Sequence, residues 1–394
     1  MTGVTSVLHL ASFNGNIGDN INHSGFKPWF ASLCETSVEW HSLEIRKFYR
    51  GEWTFARDFL QFAERSDVIV VGGGNYLELW PANSASGMSL DLPLDALEAL
   101  GKPVFLNSLG VDGGQGVSDR GRQGLQDLID WIGADNRRLL SVRNDGSFGL
   151  VEQICRPSSL ADVHRTPDAG FFQTLTQRVA SSDLAGASSI AVNLAMDMEG
   201  HRYPGGDSLD YTQFCRVFAG AMADVSMAHS EITWVFVPHI YSDLRIMSDV
   251  LAELPDNLRR SRVEVAPYGS GENASQAAMS VYAAASVILG MRFHSCIAGL
   301  SLGVPTIGLA NYPQVPKMFA EVGAPQLAID VRTEGGVARL RDLILAIKDD
   351  PDSASAIGAK VRYQVGAERR RFEPALMEWL GRVGMARAWD PAST

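Results

Sequence analysis

Ser286–Tyr312 reads SVILGMRFHSCIAGLSLGVPTIGLANY. Val287–Leu289 is a short apolar run ended by Gly290, as expected of a buried strand. His294–Leu302 carries a helical pattern, and Thr306–Leu309 is a second buried strand that begins after Gly303-Val304-Pro305. Two buried strands joined through a helix form a crossover unit, which predicts parallel pairing and an α/β fold.

The same alternation extends in both directions. Toward the N-terminus, strands are expected at Val7–Phe13, Val68–Val71, Val104–Leu106 and Leu139–Val142, with a helix at Gln123–Ile132. Closer to the starting stretch, strands are expected at Ile190–Leu194, Thr233–Val237 and Val263–Ala266. Helices are expected at Tyr211–Ala228, Asp243–Leu254, Ser275–Ala285 and Val337–Lys348. The strands are apolar on both faces, as in sheets covered by helices on both sides. Between Val179 and Ser189 the pattern gives way to Ser, Ala, Gly and Asp. The expected organisation is therefore an N-terminal Rossmann-like domain over 1–182, a second over 183–350 and a helical C-terminal segment over 351–394. Two doubly wound domains facing across a cleft resemble the plan of the GT-B glycosyltransferases.

Composition sets the limits. At 46% apolar and 20% charged residues, the chain of 394 can build two packed cores and is not disordered. Its net charge of −11 excludes a general nucleic-acid partner, although a local basic nest can still take a small anion. Cys34, Cys155, Cys215 and Cys296 are scattered without a C-x-x-C pair, so reduced thiols are expected and no metal site is predicted. The N-terminal residues lack a basic and apolar leader pattern. Asn273–Met291 is uncharged but holds Asn273, Ser275, Gln276, Ser280 and Ser286, which argues against a membrane span. A cytoplasmic protein is expected.

Ligands of open α/β sheets sit beyond the carboxyl ends of the strands, so the loops there supply the candidates. After the first strand comes Asn14–Asn20, with Asp19 and Asn20, whose backbone amides could hold an anion if a helix begins nearby. After the second comes Gly72-Gly73-Gly74-Asn75, which is either a ligand cradle or a tight turn. Asn107–Gly116, with Asp112, follows the third. Arg143 closes the fourth strand, where it needs an anion or a carboxylate such as Asp145 or Asp168. In the second half, His239 is a ligand contact or a helix-entry residue, with Ser242 or Asp243 available as a cap. Arg292 and His294 combine a fixed positive charge, helix amides and an imidazole able to move a proton. Lys317 is a further cation on that edge, or an ordinary surface lysine.

Gly15–Asp19, the glycines at 72–74, Ser141–Arg143, Pro167-Asp168, Arg292-Phe293-His294 followed by Gly303-Val304-Pro305, and Tyr312 followed by Lys317 together resemble the polysaccharide pyruvyl transferases. The resemblance runs from about Leu10 to about Gly323. It implies a GT-B-like fold, a phosphoenolpyruvate donor, a saccharide acceptor and transfer of pyruvate, usually as a ketal. It needs no cofactor. The chain departs from the family pattern in having Asn144 after Arg143 and Phe293 between Arg292 and His294. On this reading His294 and Arg292 are catalytic. Arg143, Lys317, Asp19, Asn20, Gly73, Gly74, Asn75 and His239 bind substrate.

Two rivals remain open at this level. A sugar-nucleotide glycosyltransferase would share the architecture, but the helix Ser295–Leu302 and the loop after it contain no Glu to hold a ribose. A non-catalytic carbohydrate-binding relative would keep the fold without the reaction, and Asn144 is the residue that hints at it.

Overall fold

The computed structural model describes residues 3–175 and 188–387. The chain divides into two compact units. The first comprises residues 1–13, 23–169 and 366–394; the second comprises 14–22 and 170–365. The expected boundary between residues 182 and 183 lies outside the described residues. The last helix, Pro351–Arg382, contributes to both units.

The described residues of the first unit form eight strands: β1 (Val4–Ala11), β2 (Ser37–Glu44), β3 (Val68–Gly72), β4 (Leu77–Glu78), β5 (Val104–Leu109), β6 (Val111–Asp112), β7 (Arg138–Val142) and β8 (Val163–Arg165). Six form one parallel sheet in the order β2-β1-β3-β5-β7-β8, while β4 and β6 pair separately just beyond β3 and β5. Residues alternate between two apolar layers. Leu8, Leu10, Ile69, Val71 and Leu106 face one. Val7, Val68, Val70 and Phe105 face the other, where Phe372 and Trp379 of the last helix cover them.

The second unit contains β9 (Ser189–Asn193), β10 (Thr233–Phe236), β11 (Val263–Val265), β12 (Val287–Gly290), β13 (Thr306–Ala310) and β14 (Ala328–Asp330). They form a parallel sheet in the order β11-β10-β9-β12-β13-β14. This is the Rossmann order, and its direction reverses between β9 and β12. Ile190, Val192, Trp234, Phe236 and Leu289 fill one face, and Ala191, Val235 and Ile288 the other.

The apolar runs lie within a residue or two of the observed strands, except that β1 begins earlier and ends before Ser12 and Phe13, and β5 continues three residues past Leu106. The unforeseen strands are β2, β8 and β14 at sheet edges and the short β4–β6 pair. An edge strand can expose one face, so its sequence need not be continuously apolar. In β2 only Leu43 is fully buried. Among the described residues, no helix is long and apolar enough to cross a membrane. Asn273–Met291 instead supplies most of the helix Gly271–Ala284 and then β12.

Candidate active site

In the second unit, the turn after β12 delivers Arg292 as the N-cap of the helix Phe293–Leu302, with no side-chain cap of its own. Its backbone N–H donates to Asn193 Oδ1 at 3.0 Å, tying the end of β12 to the end of β9 where the strand order reverses. The guanidinium forms a two-pronged contact with Asp243: Nε to Oδ2 at 2.9 Å and Nη2 to Oδ1 at 2.5 Å. Nη2 also donates to Asp197 Oδ1 at 2.7 Å. Burial alone would weaken the Arg292 charge, but the two carboxylates outweigh it and raise its pKa. Asp197 in turn is disfavoured by burial, yet Arg292 and Arg202 hold its carboxyl below the usual range.

Asp243 was expected as a possible cap for its helix. It is instead completely buried, and Oδ2 accepts the backbone N–H groups of His239 at 3.0 Å and Ile240 at 3.1 Å as well as Arg292. Ser242 makes no side-chain cap bond. His239 is also fully buried, and its Nε2 shares a hydrogen bond of 2.7 Å with the Tyr282 hydroxyl. Its Nδ1 is buried without a hydrogen-bond partner. Burial, followed by the charges of Arg292 and His294, pushes the His239 pKa well below its ordinary value, so the ring is neutral.

His294 is the second residue of the helix Phe293–Leu302, with Nδ1 3.9 Å from Asp19 Oδ1. Gly18 permits that approach. A β-carbon there would come within 2.8 Å of both His294 Cβ and Nδ1. Asp19 and Asn20 are buried in the first turn of the helix Ile17–Leu33. The preceding amides, which the sequence offered to an anion, have protein partners. Gly15 N–H donates to Ser270 Oγ at 2.8 Å, Ile17 N–H to the His239 carbonyl at 3.2 Å and Gly18 N–H to Asn16 Oδ1 at 3.0 Å. Lys317 is exposed on the helix Gln314–Glu321.

The remaining candidates lie in the first unit. Gly72 occurs at φ +128°, where a β-carbon would strike the Asn107 carbonyl at 2.1 Å, so close backbone packing already requires that glycine. Gly73 and Gly74 are buried, and the Gly74 carbonyl accepts from Gly110 N–H at 2.8 Å. Asn75 Nδ2 donates to Asp112 Oδ2 at 2.9 Å. Arg143 is 3% exposed and meets both carboxylates named from the sequence: Nε contacts Asp145 at 2.6 Å and Nη1 lies 3.9 Å from Asp168. A cavity of about 250 Å³ beside Met88, Leu90 and Arg120 includes none of the predicted site residues.

Glu78, opposite Asp112 in the β4–β6 pair, was not anticipated. Burial raises its pKa, contact with Ser89 opposes this, and the Asp112 charge adds to it; the result is a carboxyl pushed up to about 7. An unfolded Glu titrates near 4.3, so between the two values the folded chain holds the extra proton. Stability is therefore greatest at low pH with respect to this group, and declines as pH rises toward and through about 7. Glu78→Gln should match the parent near pH 4 and exceed it by up to roughly 3 kcal/mol at pH 8–9. Urea titrations at both pH values measure this difference.

Asp197, Arg202 and Asn193 belong to the site without a role read for them in the sequence, and Asp243 was read there only as a helix cap. Asn193, directly after the apolar run Ile190–Val192, offered the same strand-end signal as Arg143. Asp197 and Arg202 lie in an irregular stretch and a four-residue helix, Glu199–Arg202, and their convergence depends on the fold.

Solved structures similar to this chain share a GT-B-like α/β fold. An Anabaena protein solved with UDP and glucose is 11% identical, with a TM-score of 0.54 over 94% of this chain and 99% of that one. The UDP-GlcNAc 2-epimerase of Neisseria meningitidis, bound to UDP-GlcNAc, is 10% identical with a TM-score of 0.55, covering 95% and 100%. A glycosyltransferase from Rickettsia africae is also 10% identical with a TM-score of 0.55, covering 95% and 98%. No curated protein matches by sequence. The model of the family described as polysaccharide pyruvyl transferase matches residues 11–312, and the chain belongs to that family.

Proposed function

We propose that the protein transfers pyruvate from phosphoenolpyruvate to saccharide hydroxyls and forms a ketal. The observation that carries this reading is the grouping, beyond β9 and β12, of the largely buried Arg292 with an imidazole, His294, at the start of a helix beside Asp19. Cationic and amide groups suit the donor's phosphate and carboxylate, while the imidazole suits proton transfer.

In the proposed reaction, a proton is added to the donor's methylene carbon and one sugar hydroxyl adds to the neighbouring carbon. Phosphate leaves as the second hydroxyl adds. The carbon that carried phosphate ends with a methyl group and two bonds to sugar oxygens. Of the two hydroxyl protons released, one balances the proton given to the methylene carbon and the other leaves with phosphate. His294 is assigned the proton transfers, and Arg292 holds the charge arrangement around the donor. Lys317, Asp19, Asn20 and His239 are assigned to the donor's surroundings. Asn75, Gly73, Gly74 and Arg143 of the first unit are assigned to substrate binding.

Thermal unfolding with phosphoenolpyruvate, UDP-sugars and GDP-sugars tests the reading. Phosphoenolpyruvate at about 100 times its Kd should stabilise the protein by about 2.7 kcal/mol. No shift with phosphoenolpyruvate, together with a clear shift with a sugar nucleotide, would overturn the assignment in favour of a glycosyltransferase.

A further inference from the structure

The buried Arg202 and the largely buried Arg292 converge on one partly exposed carboxylate. Arg292 reaches Asp197 with Nη2 at 2.7 Å, and Arg202 Nε lies 3.6 Å from the same Oδ1. The arginine side chains are 11% and 6% exposed, whereas that of Asp197 is 34% exposed. Arg202 is fixed from its other side by donation from Nη1 to Asn311 Oδ1 at 2.8 Å, and its Nε also donates to the Asp197 carbonyl at 3.0 Å. Arg292 is fixed by the completely buried Asp243. The arginines are thus held by the protein interior, while Asp197 approaches from the open side.

We infer that Arg202 and Arg292 form a binding site for a phosphate or carboxylate group, and that Asp197 occupies this site until an anionic ligand displaces it.

Charge balance supports the exchange. Two arginines against Asp197 and Asp243 are neutral, and an incoming anion that replaces Asp197 preserves that neutrality. A buried guanidinium left without its counter-charge would be strongly disfavoured, so departure of Asp197 and arrival of the ligand must be coupled. Burial lowers the Arg202 pKa and the neighbouring Arg292 adds to this, against the opposing charges of Asp197 and Asp243.

This inference rests on the donor reading for its natural ligand, but inorganic phosphate tests it independently. If Asp197 competes for the arginines, removing its charge should remove the competition. Calorimetry on the full chain should show Asp197→Asn binding both inorganic phosphate and phosphoenolpyruvate at least about tenfold more tightly than the parent. The variant should also melt at a lower temperature without phosphate and recover when phosphate is added. Asp197→Ala provides the same test without an amide near the arginines. Unchanged or weaker phosphate binding in folded Asp197→Asn overturns the inference, even if the parent binds phosphoenolpyruvate. Tighter phosphate binding in the variant, with no phosphoenolpyruvate binding by either protein, upholds the anion site and defeats the donor assignment.

Discussion

His294→Gln is expected to lower turnover by roughly 10²–10⁴-fold while leaving phosphoenolpyruvate affinity nearly unchanged. Glutamine is close in size and retains a hydrogen-bond donor, but it cannot carry a proton between substrate atoms. His294 is in the first turn of its helix, with Asp19 3.9 Å from Nδ1 and Gly18 against the ring, so the imidazole has little freedom to adopt another position. Steady-state kinetics with saturating donor and acceptor, paired with calorimetry for the donor, separate the two roles. Near-normal turnover at saturation would transfer the proton-transfer role away from His294. A raised Michaelis constant with turnover preserved would make His294 a binding residue alone.

Arg292→Lys is expected to damage the protein in two ways. Lysine cannot reproduce the planar contact that places Nε and Nη2 on the two oxygens of Asp243 while Nη2 also serves Asp197. Lysine keeps the charge but offers one nitrogen where the guanidinium uses two, so the completely buried Asp243 loses part of its hydrogen bonding. Leaving a buried acceptor incompletely satisfied destabilises by about 1–3 kcal/mol, which in a unit of this size lowers Tm by roughly 2–12 °C. Donor affinity should fall as well, since Arg292 sets the charge arrangement around the proposed site. Calorimetry at a temperature where the variant remains folded distinguishes the two effects. An unchanged Tm would mean that the Asp243 contact contributes little, and an unchanged donor affinity would remove Arg292 from the binding site.

The architecture was legible because buried parallel strands announce themselves. A strand covered on both faces must be apolar along its whole length, and runs such as Val68–Val71 and Val287–Leu289 have no other reading once helices follow them. Edge strands escape that requirement, which is why Ser37–Glu44 was silent. Strand-end polar residues were also visible. Arg143 and Arg292 each interrupt an apolar pattern where the sheet ends, and the cost of burying a charge makes such an interruption conspicuous.

What each charge meets could not be read in the same way. Arg143 had two carboxylates close in sequence or motif, Asp145 and Asp168, and it meets both. Arg292 had no such neighbour: its partners are 49 and 95 positions away, brought together because β9, β10 and β12 are adjacent in the sheet. The same holds for the approach of Asp19 to His294 and for the raised Glu78 carboxyl opposite Asp112. The sequence by itself determined the repeated strand–helix units and the chemical types at their ends, because local periodicity and burial act on neighbouring residues. Only the tertiary structure decided which of those ends share a charge, because strand order, not sequence distance, determines which carboxylate reaches which cation.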